Sequence, residues 1–214
     1  MKRQRGPAWV CTITLLGLIM AGTLASATSF QKEANIVELL QQSELILHGT
    51  VTSVTDGIDE HGLPYTEVKL HVTEALRGQV GSEYTFRQFG LLKPRDMGNG
   101  RTNVMVTPAG WATYNKGEET ILFLHKQAAL TGLRTTAGLG QGKFKVAMGS
   151  ATNHANNAGL FKNVQINTAL LKTNEQRAML TGTGPVNVNA FKSLIRQAVK
   201  NQWVEKGNMR NAAN

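Results

Sequence analysis

Alternating apolar and polar side chains organise the middle of this chain. Val68, Leu70 and Val72 fall on one face of an extended segment, and Glu67, Lys69 and His71 on the other. A period of two marks a strand with one buried face. The stretch from Asp56 to Pro64 is rich in turn formers, so Leu45–Leu76 is predicted to be one long β-hairpin. With the loop centred near residues 58–60, Val51 faces Val68 and Leu47 faces Val72 on the buried side. Thr52 then faces Glu67 and Thr50 faces Lys69 on the wet side. The same register sets His48 directly across from His71.

Further strands follow. Glu83–Phe89 is predicted as a third, with Tyr84 and Phe86 inward, and Val104–Val106 as a brief one. Glu119–His125 carries Ile121-Leu-Phe-Leu124, apolar on both faces, which places it at the centre of the fold. Phe144, Val146 and Met148 alternate with Lys143, Lys145 and Ala147 to give another strand. Ser150–Gly159 reads as a polar connection or hairpin tip, and Leu160–Ile166 as a weak last strand.

Two segments have helical periodicity instead. Ile36, Val37, Leu39 and Leu40 predict a helix over about 30–42, with Thr28 and Gln31 at capping-box spacing. Phe191, Leu194, Ile195 and Ala198 form the stripe of a second helix, from an N-cap at Asn189 to about Gln202, with Lys192, Arg196 and Lys200 facing water. Thr181–Pro185 reads as a linker before it, and Asn208–Asn214 as a frayed end.

The N-terminal stretch changes the picture. Lys2, Arg3 and Arg5 precede an uncharged run from Ala8 to Leu24 and the exit Ala25-Ser-Ala27, the three parts of a secretory signal peptide. The run also has the length of a membrane anchor, and the Ala-x-Ala exit favours cleavage. The predicted organisation is a signal peptide at 1–27, a β-barrel domain with a leading helix at 28–180, and a linker with an amphipathic helix at 181–214. Cys11 leaves with the signal, so the exported product has no thiol for disulfides, metal or nucleophilic attack. Net charge falls from +9 to +6, because three of 23 basic residues and none of 14 acids lie in the signal (20 − 14). Scattered basic charge is compatible with weak contact to an anionic surface. Export to the periplasm or exterior argues against nucleic acid as a partner.

Short strands, one long hairpin and flanking helices predict a mainly β fold: an OB-like antiparallel β-barrel, with a β-sandwich as the alternative. Ser43-Glu-Leu-Ile-Leu-His-Gly-Thr-Val51, Tyr65 leading to Val72-Thr-Glu-Ala-Leu-Arg-Gly78, Lys116-Gly117 and Ile121-Leu-Phe-Leu124 together resemble the core of the netrin module, the OB-type barrel of tissue inhibitors of metalloproteinases. The resemblance spans roughly Ser43–Met148. It implies the barrel and, by analogy, a protease partner. The family's zinc-chelating N-terminal cysteine and its disulfides have no counterpart here. The resemblance therefore implies the fold without the inhibitory mechanism, and no inhibitory residue of the family maps onto this chain.

No cofactor motif emerges. Gly138-Leu-Gly-Gln-Gly142 lacks the Lys-Ser/Thr ending of a phosphate loop and leads into a strand, so its glycines are assigned to a turn or bulge. Two polar loops on a scaffold without a catalytic constellation point to an exported, non-enzymatic binding module of the cell envelope. Its binding rim is assigned to Asp56, Asp59, Glu60 and His61 of the hairpin tip and to Lys93 and Arg95 of the following loop, and its partner to another envelope or extracellular protein. A metal-binding protein using His48 and His71 is the alternative, and a hydrolase assembled from distant residues is a third.

Overall fold

A computed structural model describes residues 33–212; the signal-peptide assignment at 1–27 and the Thr28–Gln31 cap lie outside the described residues. The first helix, α1 (Ile36–Gln42), begins later than its stripe predicts. The reason is Asn35: its side chain accepts the amides of Val37 and Glu38, and Glu38 closes a capping box.

The hairpin forms as β1 (Leu45–Ile58) and β2 (Pro64–Arg77). Val68 and Leu70 are fully buried, as the alternation requires. The predicted register is corrected. Val54, not Val51, pairs with Val68; Val51 pairs with Leu70; His48 pairs with Glu74 and His71 with Thr50. The turn is centred nearer residue 61, because Asp59 gathers it: its carboxylate accepts the amides of His61 and Leu63 at 2.9 and 2.8 Å. Three irregularities, one of which leaves Thr52 unpaired, shift the ladder further. Gly49 sits at the tightest crossing, where an added Cβ would lie 2.3 Å from the carbonyl oxygen of His71.

β3 (Glu83–Phe89) pairs with β2 as predicted. Residues 95–103 add a small hairpin, β4 (Arg95–Asp96) with β5 (Thr102–Asn103), and Val104–Val106 forms no ladder beyond one bridge from Val106 to Leu91. β6 (Glu119–Leu124) lies between β1 and β7 (Lys143–Ala147), with residues 120–124 all buried. The hairpin tip predicted in Ser150–Gly159 is instead the two-residue turn Met148-Gly149, both at positive φ. Ser150–Asn153 is strand β8, paired to β7.

Beyond it come β9 (Val164–Ile166), α2 (Asn174–Thr181), β10 (Val186–Asn187), α3 (Val188–Lys200) and β11 (Met209–Asn211). The frayed end is corrected: residues 209–211 pair with β9. α3 is capped by Asn187 rather than Asn189.

The main sheet is antiparallel, seven strands in the order β10-β8-β7-β6-β1-β2-β3, and it does not close into a barrel. Residues 134–137 run beside β6: the His125 amide donates to the Thr135 carbonyl and the Ala137 amide to that of Phe123. The Arg134 amide donates to Arg87 on β3 at 2.7 Å. Two cores result. On one face, α1 and α3 cover a cluster in which the rings of Phe123, Phe144 and Phe191 meet at 4.9–6.3 Å. On the other, Leu47, Val68, Leu70, Phe86, Tyr114 and Leu122 pack together. Trp203 belongs to the first core and is buried.

Candidate functional site

The rim residues divide by role. Asp56 sits near the end of β1 with its side chain largely covered, and one carboxylate oxygen receives Arg95 Nη2 at 2.5 Å. The other accepts the backbone amide of Leu92 at 2.8 Å. These two contacts fold the loop after β3 back onto the hairpin, so the structure brings Asp56 and Arg95 together with the base of the loop. Asp59 is spent on its own turn. Glu60 and His61 stand at the exposed tip, 3.6 Å apart. Lys93 is exposed above a cavity of about 340 Å³ whose walls include Gln88, Leu91, Leu92, Val106 and Tyr114.

This cavity is mostly apolar with a few fixed polar groups. Gln88 Nε2 donates to the Ala112 carbonyl at 2.9 Å, while its buried Oε1 has no hydrogen-bond partner. Burial, reinforced by Glu118, raises the pKa of the Tyr114 phenol and keeps it protonated. Thr66 closes the wall by donating to the Gly90 carbonyl at 2.7 Å.

Around the opening lies a feature the sequence pattern did not reveal. Seven large hydrophobic side chains are exposed among the described residues, and five of them, Leu92, Met97, Val104, Met105 and Val106, stand on this one loop. Val104-Met-Val106 was readable as apolar, but the segment reads as a strand, which would have turned part of it inward.

The histidine pair is not assembled. His48 is buried, with Nε2 2.8 Å from Glu119 and Nδ1 3.3 Å from Lys192 on α3. His71 is exposed and lies 3.4 Å from Glu83. Among the described residues no cluster of three or more His, Cys, Asp or Glu side chains has metal-ligand geometry, and no helix is long and apolar enough to cross a membrane.

No family model, curated protein or solved structure matches this chain.

Proposed function

We propose that the chain is an exported, non-enzymatic binding module whose loop rim, Leu92–Val106 held against the hairpin tip by Asp56 and Arg95, docks another envelope or extracellular protein. The concentration of exposed Leu, Met and Val side chains on one loop supports this reading. Isolated surface hydrophobics are ordinary, whereas a contiguous group marks a contact surface. The partly apolar cavity beneath gives the partner a place to seat a side chain.

On this reading the chain is a distant netrin-type module that lacks the family's cysteines. Residues 134–137, bonded to β6 on one side and reaching β3 on the other, favour an OB-like curl of β1, β2, β3 and β6. In such barrels, loops at the strand ends carry the ligand.

Cross-linking from the loop is the test. A photo-reactive side chain at Met105 is expected to trap one envelope protein, and the same group at Met148, still more exposed on the β7–β8 turn, to trap none. Replacing Leu92, Val104 and Met105 with serine should abolish capture without lowering the melting temperature. Equal trapping from both positions defeats the assignment.

A further inference from the structure

Three cavities open along a single stretch, Gly110–Tyr114. The largest, about 530 Å³, lies over the outward face of β7 and β8, with Trp111 and Thr113 in its wall. Trp111 also lines a second, about 470 Å³, beside Phe89 and Arg134. Thr113 also lines the third, the 340 Å³ cavity under the rim. The shared wall residues set the three cavities side by side, a candidate track along this stretch.

Strand alternation builds its floor. Phe144, Val146 and Ala151 turn into the helix-covered core. Lys143, Lys145, Ser150 and Thr152 therefore turn outward, with Lys145 directly opposite Thr152. His154 follows β8, and Gly140 makes room for it. A Cβ at position 140 would lie 2.9 Å from His154 Nδ1 and 2.8 Å from the Gly110 carbonyl oxygen. This is one use of the glycine cluster at 138–142.

The charge along the track is one-sided. Lys93, Lys126, Arg134, Lys143 and Lys145 line the three cavities, against the single carboxylate of Glu118, a balance of +4 (5 − 1). Glu118 is already held by Lys143 at 2.7 Å, and Arg134 by Glu44 at 2.5 Å. Among the described residues, Lys93, Lys126 and Lys145 have no carboxylate within ion-pair distance. Cations gathered along a groove with low-dielectric walls focus a field that draws in anions. Where the first two cavities meet stands the half-buried indole of Trp111, set edge-on to Phe89 at 6.5 Å.

We infer that this track binds an acidic polysaccharide. Its carboxylates meet the free lysines, its hydroxyls meet Thr113, Ser150 and Thr152, and one sugar ring lies against Trp111. A single-stranded nucleic acid fits less well, because such sites stack successive bases on several aromatic side chains, and here Trp111 and Phe89 form one aromatic station beside a row of hydroxyls. The inference goes beyond the loop-rim reading and stands without it.

Calorimetric titration of the full chain with polygalacturonate oligomers tests it, with neutral maltodextrin and oligo(dT) as comparison ligands. Polygalacturonate is expected to bind at low ionic strength and to weaken as salt rises. The double substitution K126E/K145E should cut affinity about tenfold, as should Trp111→Ala. Both lysines are exposed and unpaired, so the double variant should melt with the parent. The rim residues Leu92–Val106 remain intact throughout, so failure here leaves the protein-docking proposal separately testable. No binding of polygalacturonate, undiminished binding by K126E/K145E, or tighter binding of oligo(dT) each overturns the inference.

Discussion

Lys192 on α3 places its ammonium 3.3 Å from Nδ1 of His48 on β1. An ammonium only donates, so Nδ1 accepts, and Nε2 carries the hydrogen that goes to Glu119 at 2.8 Å. The imidazole thus joins α3, β1 and β6, and its tautomer is set by its neighbours. Long-range ¹H–¹⁵N NMR of the neutral ring is expected to show the Nε2–H form. Finding the proton on Nδ1 contradicts the arrangement. His48→Ala leaves Lys192 and Glu119 without this partner and should cost about 1–3 kcal/mol in chemical denaturation.

Glu74 on β2 continues the network, accepting Arg196 at 2.5 Å and Lys192 at 3.5 Å. Burial pushes its carboxyl pKa up, but the combined hydrogen bonds and charges of Arg196 and Lys192 outweigh it and hold the value below 4.5. A carboxyl with a depressed folded-state pKa adds stability that is complete above its unfolded value and is lost as pH falls through the folded one. Glu74→Gln should therefore lower stability at neutral pH and flatten the decline below about 4.5. Parallel pH–stability curves for the two proteins would rule this linkage out.

Phe191 binds α3 to the sheet through its ring contacts with Phe123 and Phe144 at 6.3 and 4.9 Å. Phe191→Ala is expected to cost about 3–5 kcal/mol. Buried Trp203 shares that core, so its fluorescence and the far-ultraviolet circular dichroism should report one transition, read against a Trp203→Phe reference. Separate midpoints would mean that α3 unfolds independently of the strands.

Gly49 has no room for a side chain at its crossing with His71. Gly49→Ala must open the β1–β2 ladder and should destabilise by roughly 2 kcal/mol. A substitution with no effect on the denaturation midpoint would show that the strands separate there at little cost.

Asp56 ties the rim loop down through Arg95 and the Leu92 amide. Its replacement by alanine should raise hydrogen exchange at Leu92 while shifting global stability by no more than about 1 kcal/mol. Unchanged exchange at Leu92 would detach the loop's position from Asp56.

The hairpin was legible because Val68 and Leu70 repeat every second residue, and that pattern is local. Its register was not: the Asp59-centred turn and the unpaired Thr52 each move the ladder, and neither leaves a mark in the hydrophobic pattern. α2 was missed because only Gln176 and Met179 are buried along it, too few to form a stripe. β11 was missed because its partner lies far back in the chain, Arg210 facing Gln165. The polar loops of the rim could be read, but not the Asp56–Arg95 contact across 39 positions. The apolar side chains between residues 92 and 106 escaped for another reason: residue type does not say which hydrophobics stay outside.

Asn35, which caps the first helix, also donates through Nδ2 to the side chain of Asn211 at 2.8 Å, and Ala212 donates to Asn163 nearby. Among the described residues, the first helix is thus clasped by the last strand. A ribosome releases Asn35 long before Asn211, 176 positions later, so the clasp shuts only once that late strand has emerged. Until then the Asn35 cap stands without the strand that later holds it from the side.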